Sequence, residues 1–79
     1  KIRFLNMKLF ILDDDVNTFD EVIRSIQINL TYPNTQASSI AHIVHHTGKC
    51  LVKTDSDENI IKRIYKKLKA DGLNVKIEE

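Results

Sequence analysis

Leu12-Asp13-Asp14-Asp15-Val16-Asn17-Thr18-Phe19-Asp20-Glu21-Val22-Ile23 holds three carboxylates at the end of an apolar run, directly before a helix start. Before it, Met7 to Leu12 reads as a buried strand, with Ile2 as the earliest possible start. After it, Thr18-Phe19-Asp20-Glu21 fits a capping box, in which Thr18 accepts from the Glu21 amide and Glu21 reaches back. Apolar residues then recur at Phe19, Val22, Ile23, Ile26 and Leu30, the spacing of one buried helical stripe. The triple Asp therefore sits on a strand-to-helix turn, at the lip of the apolar surface those two elements create. Crowded carboxylates repel one another unless a cation lies among them, so the turn invites an ammonium or a metal ion.

Outward from this turn, Thr31-Tyr32-Pro33-Asn34 breaks the first helix. A second helix starts at Asn34 or Thr35, carries Ala37, Ile40, Ala41 and Val44 on one face, and stops at Gly48. Cys50 to Thr54 is short and β-like. Asp55-Ser56-Asp57 opens a third helix whose stripe is Ile60, Ile61, Ile64, Tyr65 and Leu68, closed by Gly72. Leu73, Val75 and Ile77 alternate with polar residues, as in a strand with one wet face. The order β-α-α-β-α-β predicts an α+β fold, a three-stranded antiparallel sheet packed with three helices.

Composition narrows the function classes. A chain of 79 residues accommodates one domain, residues 1–79, with one small core, hiding about 60% of its extended-chain surface. The net charge of +1 gives no overall attraction to nucleic acid or to a membrane. No apolar run approaches the roughly 20 residues that span a bilayer. Cys50 is alone, which excludes an internal disulfide and fits a reducing compartment. The start at Lys1 in place of Met leaves an N-terminal extension open.

Two separated motifs make the chain resemble a known family. The strand followed by Asp14-Asp15 and Asn17-Thr18-Phe19-Asp20-Glu21-Val22-Ile23, and the segment Ala41-His42-Ile43-Val44-His45-His46-Thr47-Gly48-Lys49-Cys50, are similar to the ClpS family, adaptors of the ATP-dependent Clp protease. The final Gly72-Leu73 strand fits as well, and the likeness runs from about Lys8 to Glu78. It implies the ClpS fold, which is similar to the C-terminal domain of the ribosomal stalk protein. It also implies recognition of substrates with a bulky first residue, Phe, Tyr, Trp or Leu, and their delivery to a ClpA- or ClpC-type AAA+ unfoldase. Carried over by position, Asp13, Asp14, Asp15 and His45 hold the α-amino group. Asn17, Phe19, Val22, Ala41, Val44 and Leu73 line an apolar pocket for the first side chain. Glu58 with Lys62 or Arg63 correspond to the contact with the unfoldase's N-terminal domain. The resemblance further implies a monomer of the bacterial cytoplasm, in preference to a plastid-type organelle, with no cofactor.

Two positions depart from the family pattern. Its usual Asn is Asp13 here, which accepts hydrogen bonds but, ionised, donates none. Phe19 stands where Met is common, and Ala41 where another Met is often found. Large and small have traded places, which keeps the volume of the pocket while changing its shape.

Plainer readings stand beside these. Asp13 to Asp15 alone also fit a helix-start turn, and Phe19, Val22, Val44 and Leu73 fit a core. His42 and His46 are i, i+4 and share a face, as in zinc-binding pairs, whereas His45 points about 100° away by helix geometry. No Glu lies between that pair, and no metal site is expected. Lys62, Arg63, Lys66, Lys67 and Lys69 fit a solvated helical face, diluted by Asp55, Asp57 and Glu58. No nucleophile is placed beside His45, and no glycine-rich phosphate loop is present, so the chain is read as an adaptor and not an enzyme. The alternative is a protein-interaction domain of the same fold that lacks N-terminal residue recognition.

Overall fold

The computed structural model describes residues 6–79. The elements follow as β1 (Met7–Leu12), α1 (Phe19–Leu30), α2 (Asn34–Thr47), β2 (Lys49–Asp55), α3 (Glu58–Ala70) and β3 (Asn74–Glu78). This is the β-α-α-β-α-β order and the α+β class expected from the sequence. A strand start as early as Ile2 lies outside the described residues.

The first strand ends up in the middle of the sheet. Its order is β2-β1-β3 and both pairings are antiparallel. Leu12 pairs with Lys49 on one side and Asn74 on the other, so the end of β1 is flanked by the start of β2 and the start of β3. A register irregularity between Leu9 and Phe10 shifts the β2 pairing. Leu9, Ile11, Val52 and Val75 are the buried members of the three strands, and they join Ile26, Leu30, Ile40, Ile61 and Leu68 of the helices in one core.

Local chemistry sets the helix ends. Thr18 caps α1 with both bonds of the capping box present: the Glu21 amide donates to Thr18 Oγ1 at 3.1 Å and the Thr18 amide to Glu21 Oε1 at 2.8 Å. Thr31, in the left-handed region at φ 55°, ends that helix. Pro33 precedes α2 without a side-chain cap. At the other end of α2, Gly48 takes φ 95° and its amide donates to the Val44 carbonyl. Asp57 caps α3 through the Asn59 amide, and Gly72 at φ 88° follows its last turn. A polar tie joins α1 to that same end: Ser25 Oγ and Asn29 Nδ2 both donate to Asp71 Oδ2, at 2.7 and 2.9 Å. Cys50 is half-buried against the core, which pushes its thiol pKa up.

Candidate functional site

The turn after β1 is built on Asp14. Its Oδ1 accepts from the amides of Val16 and Asn17, each at 2.8 Å, and its Oδ2 accepts from Asn17 Nδ2 at 3.1 Å. These bonds hold the Asp14 carboxyl below the ordinary carboxylate range; the Asn17 amide is the largest cause, with burial opposing it. Asn17 Nδ2 also donates to the Gly72 carbonyl at 2.7 Å, which anchors the turn to the segment between α3 and β3. From the other side, the Asp13 amide donates to the Gly48 carbonyl at 2.9 Å. The acidic turn thus abuts the C-terminal end of α2, where helix carbonyls carry partial negative charge.

Beside these two junctions lies an open cavity of about 320 Å³, at the lower end of the range for small-ligand sites. Asp13, Asp14, Asp15, Asn17 and His45 line its polar side. Phe19 and Val22 from α1, Ala41 and Val44 from α2, and Leu73 before β3 line its apolar side. The structure therefore brings together all the candidate amine-binding and pocket-wall positions, from the acidic turn, α1, α2 and the segment before β3. Ile11 and Leu12 also line it; the sequence reading assigned them to the strand alone, although their place just before the triple Asp was the available signal.

The roles within the turn divide. Among the described residues, the carboxylates of Asp13 and Asp15 and the imidazole nitrogens of His45 have no hydrogen-bond partner, whereas both oxygens of Asp14 are engaged. Unpartnered acceptors at a cavity mouth, beside a helix C-terminus, favour a cation that brings its own donors. Asn17 acts chiefly as a bracket, since its amide group spans Asp14 and Gly72.

The apolar side divides too. Ala41, Val44 and Leu73 are 3, 4 and 4% exposed, whereas Phe19 is 37% exposed. Phe19 is thus a cavity wall and not the core residue its helical spacing suggests, because it is the first residue of α1 and has no preceding turn to cover it. Against it stands His42, with ring centroids 4.6 Å apart.

The other candidates lie elsewhere. Glu58, Lys62 and Arg63 are exposed on α3, where Glu58 and Lys62 form an i, i+4 ion pair at 3.7 Å. His42 and His46 share a face, their rings stacked with centroids at 6.2 Å. Among the described residues no group of three or more His, Cys, Asp or Glu is placed to hold a metal ion, and no helix is long and apolar enough to cross a membrane.

A small α+β domain with a half-acidic, half-apolar cavity at one end of its central strand is the class that the geometry defines. The family described as ATP-dependent Clp protease adaptor protein ClpS matches residues 4–75, and the chain belongs to the ClpS family. Among solved structures it is similar in fold to Agrobacterium tumefaciens ClpS2, whose structure is of the protein bound to L-phenylalaninamide. The TM-score is 0.80, with 17% identity over 96% of this chain and 98% of that one. Among curated proteins, none matches the chain at a significant level.

Proposed function

We propose that this member of a Clp adaptor family reads the first residue of substrate proteins, taking a free α-amine together with a bulky apolar side chain. The observation that carries the reading is the division of one cavity into unpartnered acceptors and an apolar recess. An α-amine has a pKa of about 7.7–8 and is mostly ammonium at neutral pH. It offers three donors, which Asp13, Asp15 and His45 are positioned to receive. Each such charge-assisted contact is worth about 1.5–3 kcal/mol. The Leu or Phe side chain beside it adds about 1.5–3 kcal/mol on burial. Asp14 serves this site through the frame, holding the turn that presents its two neighbours.

The ligand of the Agrobacterium tumefaciens protein, an amino-acid amide with an aromatic side chain, has the same two features and supports the reading by likeness. The open cavity beside Phe19 supports it over the interaction-domain alternative, which would be favoured by a plugged one. An internal peptide nitrogen has neither the charge nor the three hydrogens, so only chain ends qualify. The captured substrate passes to the AAA+ unfoldase of a Clp protease, for which Glu58, Lys62 and Arg63 on α3 are the proposed contacts. In this reading the chain is a monomeric, non-catalytic adaptor domain spanning residues 1–79 and working in bacterial cytoplasm.

Fluorescence anisotropy with labelled peptides beginning Phe, Leu or Glu, and an acetylated Phe peptide, tests the reading. Binding of the free Phe and Leu peptides alone is expected; equal binding of all four, or of none, overturns it. Because His45 has to offer an acceptor nitrogen, His45→Ala is expected to weaken binding of the free Phe peptide. An unchanged affinity would remove His45 from that role.

A further inference from the structure

Phe19 is the least buried of the large apolar residues around the cavity, and packing from the core does not hold its ring. An exposed aromatic on a first helical turn ordinarily exchanges rotamers, and a wall that moves cannot discriminate between shapes. One contact from the neighbouring helix opposes this motion. The ring of His42 meets that of Phe19 at 4.6 Å between centroids and 61° between planes, an edge-to-face arrangement. His42 does not line the cavity; it stands behind the wall. Its own ring is stacked on His46, one turn along α2, at 6.2 Å and 7°, and His46 in turn meets His45 at 5.4 Å and 66°. A row of rings therefore runs from the apolar wall to the imidazole at the polar end.

We propose that His42 is a positioning residue: it fixes the Phe19 ring and so sets the preference of the cavity for aromatic over branched aliphatic first residues. This rests on the N-terminal reading above. A fixed Phe19 ring presents a constant surface to an incoming side chain, and the small Ala41 leaves depth beside it. An aromatic side chain gains a ring–ring contact there that a Leu side chain does not. An imidazole suits the post because it offers Phe19 an aromatic contact and its polar nitrogens are tolerated at an exposed position.

The test compares wild type, His42→Ala and His42→Phe for binding of two peptides that differ only in beginning with Phe or Leu. Position 42 is exposed, and Ala is the strongest helix former, so the fold tolerates the change. Wild type is expected to prefer the Phe peptide. His42→Ala is expected to bring the Phe:Leu affinity ratio about threefold or more towards unity, and His42→Phe to restore it to within about twofold of wild type. In parallel, side-chain scalar couplings of Phe19 should report one rotamer in wild type and averaging in His42→Ala. An equal loss for both peptides, an unchanged ratio, failure of His42→Phe to restore it, or an averaged Phe19 in wild type overturns the proposal. Wild-type protein that binds neither peptide overturns the N-terminal reading and the selectivity role together, and is thereby distinct from binding with an unaltered ratio.

Discussion

The polar and apolar ends of the cavity are built by opposite means. The polar turn is shaped locally: Asp14 gathers the amides of Val16 and Asn17 within three residues, and the carboxylates of the flanking Asp13 and Asp15 are left unengaged among the described residues. The apolar recess is a tertiary product, since Ala41 and Val44 reach it from α2 and Leu73 from the segment before β3, all buried in the body of the domain. The two ends therefore differ in what they contribute to stability. Acceptors at the mouth are spare with respect to the fold, whereas the recess shares its side chains or their neighbours with the core.

The largest expected effect sharpens that contrast. The double variant Asp15→Ala with His45→Ala removes two charge-assisted contacts, about 3–6 kcal/mol, so affinity for a Phe-initiated peptide falls at least about a hundredfold. Its urea midpoint should stay at the wild-type value; a large drop would show that the mouth is structural after all. Leu73→Ala should do the reverse, costing about 2–5 kcal/mol of stability because it empties a buried site, read as a lower urea midpoint at unchanged slope.

Asn17→Ala lies between the two ends, as it cuts the bridge from Asp14 to Gly72. About 1–3 kcal/mol of stability should be lost, with weakened peptide binding as the turn loosens; unaltered affinity would mean the turn keeps its shape without the bracket. Thr18→Ala removes the α1 cap and should cost about 1 kcal/mol, measurable by thermal unfolding with little change in peptide preference.

The smallest effect is electrostatic. The Asp14 carboxyl is held below its ordinary range in the folded state, so its contribution is present above the unfolded pKa and is lost as pH falls through the folded value. Between pH 5 and 3, wild type should lose stability more steeply than Asp14→Asn, as read from urea midpoints along a pH series. Parallel curves would mean that the turn does not depend on the Asp14 charge.

Much of the acidic turn and its following helix was legible because each signal lies within a few residues. A Thr three positions before a Glu specifies a capping box through local reach alone, and both bonds are present. Gly48 and Gly72 marked helix ends for the same reason: each occupies a positive φ that side-chain-bearing residues resist. The family motifs added the long-range association of His45 with the acidic turn, which no local pattern contains. Phe19 shows where periodicity misleads. It falls on the apolar stripe, yet at the first position of α1 the stripe has no partner above it, and the ring leans on His42 instead. Asn17 shows a different gap. Its bond to the Gly72 carbonyl spans 55 positions in sequence, and an amide side chain carries no sign of so distant a partner.

By itself, then, the amino-acid sequence determined which segments are strands and helices, where they stop, and that three carboxylates gather on one turn. These depend on neighbours three or four positions apart, within which backbone geometry leaves few options. The tertiary structure decided that β1 lies between β2 and β3, that Asp14 is a frame while Asp13 and Asp15 stay available, and that a histidine supports the aromatic wall. Those outcomes depend on which distant groups meet when the apolar faces close together, and it is packing that brings them within reach.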